Sequence, residues 1–257
     1  MDRDEVLRLI AYRDKEWDRP WETEKELRDF LKSDNKPLLR EIGRTPLPTE
    51  YGDVTYFVFG DYTSGKEHDV IIFGKIAEEK LKDYGEPLVR IHSSCRSSEL
   101  FHASNCECRE ELDLAMKTMG KEKKGVVLYL NQEGAGNGIR AKLSAYKDTF
   151  EWKGAEIVTR LDQNSGKPVS VYDGYTKKGY KTENRDFTIA AEILKRFDIR
   201  SVRLMTNNPN KINGLVSEGI NVKPYGIHIK PANKTVEEHL RAKADKLGHS
   251  IEEKDLR

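Results

Sequence analysis

All three cysteines of this 257-residue chain, Cys95, Cys106 and Cys108, lie in one stretch with the spacing Cys-x10-Cys-x-Cys. Whatever use the thiols have must be served by one corner of the fold, so this cluster constrains the chain more than any other feature. Three readings stand open from the residues alone. Free cysteines are commonly small buried apolar groups. A disulfide leaves one thiol over, and the charged start Met1-Asp-Arg-Asp-Glu5 does not read as a leader to an oxidising compartment. The third reading is zinc. A structural site closes with four protein ligands, whereas a catalytic site uses three and leaves the fourth position open. Three cysteines this close together fit the open site, and His92 or His102 could still close it.

The flanking residues place the cluster between two elements. Pro87 to His92 predicts a short strand running into it. Leu112, Ala115, Met116 and Met119 recur at helical spacing, so Glu110 to Met119 predicts a helix. Cys106 and Cys108 then stand at the start of that helix, where its dipole and free N–H groups favour thiolate.

The rest of the chain predicts an α/β fold, a central mixed β-sheet flanked by helices. Residues 1–45 predict an N-terminal extension of two amphipathic helices, one through Val6, Leu7, Ile10 and Ala11, the other through Leu27, Phe30 and Leu31, with Trp17 and Trp21 between. A catalytic domain spans 46–257. Val54 to Phe59 and Asp69 to Gly74 predict an antiparallel pair around the turn Thr63-Ser-Gly-Lys66, which lacks the glycine spacing of a phosphate loop. Gly125 to Leu130 predicts a buried strand. The loop Asn131 to Gly138 and a helix carrying Ile139, Leu143, Tyr146 and Phe150 follow it. Strand, glycine-rich loop and helix make either a phosphate cradle or a plain turn. Glu156 to Leu161 and Pro168 to Tyr172 predict an inserted β-hairpin, within about residues 155–173. Then come a helix over Arg185 to Phe197, a strand over Ser201 to Thr206, a polar loop Asn207 to Lys211, a helix through Ile212, Leu215 and Val216, and a last helix from Thr235, its cap, to Gly248. Repeated strand–loop–helix units put sites at strand C-terminal ends.

Composition narrows the function. Lys+Arg 45 against Asp+Glu 44 gives a net charge of +1, which argues against a dedicated nucleic-acid binder. No apolar run reaches the roughly 18 residues of a membrane span, and a cytoplasmic enzyme is expected. Asn233-Lys-Thr235 matches a glycosylation sequon, read here as chance.

Val89-Arg-Ile-His-Ser-Ser-Cys95, Leu100-Phe101 and Cys106-Glu-Cys108, taken together, resemble the zinc-binding segment of GTP cyclohydrolase II. Further blocks follow in the family's order: Leu128 to Gly134, Ala145-Tyr146, Asn184 to Phe187, Leu204 to Lys211, and His239 to His249. That family opens the imidazole ring of GTP at the start of riboflavin synthesis. The resemblance implies one zinc ion per chain on Cys95, Cys106 and Cys108, magnesium with the nucleotide, release of formate and pyrophosphate, and a homodimer. It places Arg90, His92, Ser93, Glu133, Gly134, Thr206 and Lys211 against the nucleotide. Tyr146 matches the tyrosine associated with ring opening. Arg185 matches the arginine proposed to attack the α-phosphorus, and Glu183 stands where an aspartate is the proposed proton acceptor. An arginine is effectively always protonated, so stabilising phosphate charge is its safer physical role.

The chain also departs from the family pattern. Ala135 replaces an arginine after Gln-Glu-Gly, with Arg140 one turn on as a possible substitute. Ser94 stands where glutamate is common, Glu111 where glutamine is common, and the connection from Tyr146 to Arg185 is longer than the family's. Two other readings therefore accompany the first: a divergent enzyme acting on another nucleotide, nucleoside or base, or performing part of the reaction, and a structural zinc domain.

Overall fold

The computed structural model describes residues 39–74 and 85–256. The two N-terminal amphipathic helices fall outside the described residues. Three strands open the fold as an antiparallel meander: β1 (Leu39–Thr49), β2 (Gly52–Asp61) and β3 (Lys66–Phe73). β4 (Leu88–Ser93) follows, then a short helix α1 (Arg96–Glu99) and the long helix α2 (Cys108–Glu122). β5 (Gly125–Leu130), α3 (Ile139–Thr149), the strands β6 (Phe150–Lys153) and β7 (Glu156–Thr159), and α4 (Val171–Lys177) come next. The C-terminal part runs α5 (Thr188–Arg196), β8 (Ser201–Met205), α6 (Pro209–Val216), β9 (Asn221–Tyr225) and α7 (Lys234–Leu247).

Seven strands form one mixed sheet in the order β1-β2-β3-β5-β4-β8-β9, as expected for a central mixed sheet flanked by helices. The meander joins antiparallel through β3 and β5; β5, β4, β8 and β9 run parallel. Proline positions agree with this order. Pro46 and Pro48 lie on β1 and Pro224 on β9, the two edge strands, where a missing N–H has least effect on the ladder. Both faces of the sheet are covered, which is why β5 reads as a nearly unbroken apolar run. Val89, Ile91, Val126, Leu128, Val202 and Leu204 pack under α5 through Ile189, Ala190, Ile193 and Leu194. Leu88, Val127, Phe73 and Met205 face the other way, against Ala115, Met116 and Met119 of α2.

The site's position follows from strand order. The chain leaves β4 for its neighbour β5 on one side, and returns as β8 on the other side of β4. Connections diverging from two adjacent parallel strands open a crevice at their C-terminal ends, the usual ligand position in open α/β sheets.

Several expectations need correction. β1 crosses the boundary placed between residues 45 and 46. The regular hairpin is β6–β7, with Trp152 opposite Ile157, and Phe150 begins its first strand instead of ending the preceding helix. The expected pairing further along survives only as an Arg160–Val169 hydrogen bond and a Leu161–Pro168 bridge. Tyr172 belongs to α4, which a capping box between Ser170 and Asp173 starts. Leu143 of the expected apolar stripe is 55% exposed; α3 buries Ala141, Lys142, Ala145 and Thr149 instead. α5 begins at Thr188, not Arg185, and Lys211 lies in the first turn of α6, not in a loop, after Asn208 as cap and Pro209 as first residue. β9 was not anticipated. The last helix is capped by Asn233, whose side chain accepts from Val236 N at 3.0 Å, so the sequon's asparagine has a structural use.

Two stability measurements test this packing. Gly120 sits in α2 where an added Cβ would lie 2.1 Å from the Tyr51 carbonyl oxygen. Gly120→Ala gains about 1 kcal/mol of helix propensity but must push the β1–β2 turn away. A net loss of about 1–3 kcal/mol is expected in urea unfolding. His68 on β3 is buried, its Nδ1 accepts from Asn131 N at 3.1 Å, and burial pushes its pKa down to about 4. The folded chain thus binds fewer protons there than the unfolded chain, whose histidine titrates near about 6.5. This contribution is complete above the unfolded value and is lost as pH falls toward about 4. His68→Gln is expected to lose less stability than the parent chain between pH values of roughly 7 and 5.

Candidate active site

Three elements deliver the thiols. β4 ends at Ser93, Cys95 caps α1, and α2 starts at Cys108. All three cysteines are free, and their sulfurs lie within 4.8 Å of one another, Cys95 and Cys106 at 3.7 Å. Among the described residues no histidine or carboxylate joins the cluster. His102 is exposed. His92 is committed elsewhere: Nε2 donates to Glu99 Oε1 at 2.8 Å, while Nδ1 faces Arg90 Nη2 at 3.5 Å. Burial lowers the His92 pKa, against the pull of Glu99.

The donor set fits a soft divalent cation. Hydrogen bonds from Cys106 and Cys108 pull the Cys95 thiol well down. The bonds of Cys108 to the other two sulfurs, with burial, push its own thiol up. Cys106 is pulled down by Cys108, but its bond to Cys95 and its burial outweigh this and push it up to about 12. A bound cation would need the three as thiolates and would draw off the protons they hold.

Carboxylates hold the walls. Glu99 Oε1 also accepts from Cys95 N at 3.1 Å, and its other oxygen accepts from the Tyr129 hydroxyl, so one side chain orients both His92 and the first thiol. Glu133 accepts from Arg96 N at 2.9 Å and from its neighbour Gly134 N at 3.2 Å. It also takes the Lys142 ammonium at 2.6 Å, and Lys142 in turn lies 3.1 Å from Cys95 Sγ. Burial works against the charge on Lys142, but the surrounding Tyr146, Cys95 and Glu133 raise its pKa. The Tyr146 hydroxyl is held by Asn105 Nδ2 at 3.1 Å and Ser97 Oγ at 3.3 Å, and burial keeps its proton on.

Across the crevice the site is cationic. Arg90 donates to Met205 O at 3.0 Å and pairs with Glu111; Lys243 pairs with Glu107 and reaches Glu111 at 3.4 Å. Arg185 lies along Glu183, its Nε 2.7 Å from Oε1. Burial opposes the Arg185 charge and the Glu183 pairing restores it. Lys211 differs. It donates to Ile91 O at 2.8 Å and has Arg90 and Arg185 as neighbouring positive charges, so burial first, then those charges, push its pKa well down.

One cavity is lined by Arg90, His92, Ser93, the three cysteines, Glu133, Gly134, Tyr146, Arg185, Thr206 and Lys211. Of the sequence-predicted residues Glu183 alone does not line it; it reaches the site through Arg185. Ala135 lines the cavity with a left-handed backbone, φ 53°, while Arg140 is exposed and absent from the lining. Lys142, Glu99 and Lys243 were missed, as were Gln132, Asn208 and His249. The last three also line the cavity, and their Oε1, Nδ2 and Nε2 atoms have no hydrogen-bond partner in the protein. A usable signal was present for Gln132 and Asn208, since both sit in polar loops directly after strands.

Fold and site define an α/β protein with a three-thiol group that could bind a metal ion at the mouth of a cationic crevice. The family model for GTP cyclohydrolase II matches residues 40–226, and the chain belongs to that family. It is 39% identical over 196 residues to a GTP cyclohydrolase-2 of Psychromonas ingrahamii, covering 75% of this chain and 86% of that one. With a GTP cyclohydrolase-2 of Proteus mirabilis it shares 33% over 213 residues, 83% of this chain and 96% of that one. It is also 36% identical over 214 residues to a riboflavin biosynthesis protein RibBA of Endomicrobium trichonymphae, covering 83% of this chain and 48% of the relative, so it spans about half the length of that protein. Among the described residues no helix is long and apolar enough to cross a membrane.

Metal analysis tests the cluster. Cys106→Ser is expected to bind less divalent metal than the parent chain while leaving the far-ultraviolet circular dichroism unchanged.

Proposed function

We propose that this chain is a zinc-dependent hydrolase that opens the imidazole ring of GTP, releasing formate and pyrophosphate, as a step of riboflavin synthesis. One observation carries the reading beyond family membership: an open three-thiol cluster and a set of buried cations line the same cavity. Zinc held by Cys95, Cys106 and Cys108 would supply a Lewis acid able to activate water near neutral pH. The chain's own residues do the rest. Tyr146 keeps its proton and presents a fixed hydroxyl beside the thiols, suited to donate to a nitrogen of the opening ring. Arg185, held by Glu183, stabilises phosphate charge. Lys211 is the responsive cation. Its charge is disfavoured in the site as it stands, and an arriving phosphate restores it. Gln132, Asn208 and His249 supply an acceptor, a donor and a ring nitrogen to a base or sugar. The reading includes magnesium with the nucleotide and a homodimer.

A second reading is favoured by Ala135. The loop that lines the cavity after Glu133 carries no cation, and Arg140 does not replace one. A substrate with a shorter phosphate chain suits that wall.

The test is incubation of the zinc-loaded chain with GTP and magnesium, with formate and pyrophosphate assayed separately. Both products are expected. Cys106→Ser should abolish formate, and Arg185→Ala should slow pyrophosphate release on the order of 10²–10³-fold. Formate from GMP but not from GTP would establish the second reading. Neither product from either nucleotide, with zinc bound, would overturn both.

A further inference from the structure

We propose that Lys142 is a positioning residue for the metal centre, donating a hydrogen bond from its ammonium to the Cys95 sulfur and so limiting how strongly that thiolate donates to the metal. The inference rests on the reading of Cys95, Cys106 and Cys108 as metal ligands.

The geometry is specific. Lys142 lies on the first turn of α3, on the face that also buries Ala141, Ala145 and Thr149, so its side chain runs into the site and not out to solvent. Its nitrogen stands 2.6 Å from Glu133 Oε1 and 3.1 Å from Cys95 Sγ, and 5.7 Å from the centre of the Tyr146 ring. Glu133 cannot swing away, because Arg96 N and Gly134 N hold its two oxygens. The backbone of the Gln132–Gly138 loop is tightly set as well: a Cβ on Gly134 would lie 2.5 Å from Gly138 O. Ammonium and sulfur are thus held together by a chain of contacts that does not depend on substrate.

The chemistry gives this contact a purpose beyond packing. Three thiolates bring one more negative charge than a divalent ion neutralises. An anionic centre of that kind is a weak Lewis acid, because electron-rich sulfurs satisfy the metal. Hydrogen bonds to ligand atoms are a general means of tuning such a centre, and a cation fixed against one sulfur both draws off electron density and balances the surplus charge. Neither of the other two sulfurs has a lysine or arginine within hydrogen-bonding distance among the described residues, so the tuning falls on Cys95.

Cobalt(II) in place of zinc provides the test, because its thiolate-to-metal charge-transfer band reports the energy of the sulfur lone pairs. The full chain, loaded with cobalt, is compared with Lys142→Met and Lys142→Arg. Loss of the N–H···S bond raises the lone-pair energy, so Lys142→Met is expected to move the band to longer wavelength and Lys142→Arg to return it toward the parent position. Lys142→Met leaves Glu133 buried without its partner. The pair Glu133→Gln and Glu133→Gln/Lys142→Met therefore repeats the comparison without that charge, and the same shift between the two is expected. Cobalt bound at one per chain with an unmoved band in both comparisons overturns the role of Lys142 and leaves the metal reading standing. Failure of the parent chain to bind cobalt or zinc overturns the metal reading and this inference with it.

Discussion

Burying charge is the constraint on which this site depends. Arg90, Lys142, Lys211 and Lys243 are all buried at one end of the sheet, and a charge buried there without a partner is costly. Three of them are paired with carboxylates: Glu111 with Arg90, Glu133 with Lys142, Glu107 and Glu111 with Lys243. Such pairs add little net stability, because desolvation consumes most of the attraction. Their value is positional. Removing one partner strands the other, on the order of 3–5 kcal/mol, so the whole set of side chains is held in one arrangement.

That arrangement ties the two halves of the site to the sheet. Arg90 comes from β4 and donates to the end of β8; Lys211 comes from α6, after β8, and donates to a carbonyl of β4. The diverging connections of β4 and β8 make the crevice, and these two bonds set its width. On the other side of β4, Glu133 follows β5 and accepts from the backbone of Arg96, just past the first thiol. The thiol cluster is thereby registered against the parallel strands without any of its cysteines belonging to one.

How much of this could be read from the chain alone varies with the physics of each residue. The cysteines were legible because no other thiol competes with them and because helical spacing resumes at once after Cys108. β5 was legible as an apolar run, whereas β9, exposed along most of its length and interrupted by Lys223 and Pro224, was not. Lys142 was not, since a lysine early in a helix ordinarily belongs to solvent, and Ile139 and Leu143 point to a different buried face from the one α3 uses. Small residues decide that face: Ala141 and Ala145 allow close approach of α4, whose Gly174 would place a Cβ 2.8 Å from Ala145 O. Hydrophobic periodicity weighs large residues and misses a contact made by the absence of side chains. α4 itself carried a local signal, the Ser170 and Asp173 pair, which the β-branched residues around it obscured.

Ala135 stands where the fold is indifferent to side-chain length, whereas Glu111, another departure read from the sequence, is tied to Arg90 and Lys243. Ala135 has a left-handed backbone, a conformation unfavourable by about 1–2 kcal/mol for any residue with a Cβ, and its carbonyl is held by Asn184 N at 3.0 Å. Its side chain meets the cavity. A longer side chain at that position meets the same backbone cost as alanine and adds only what it does in the cavity, so this wall can change without disturbing the loop. Cys95, Glu133 and Lys142 have no such freedom, because each holds another in place. The thiol end and the Ala135 wall of the same cavity are therefore under different physical constraints. A substitution at Ala135 leaves the buried charges in place, whereas one at Glu133 or Lys142 disrupts the set that fixes the site.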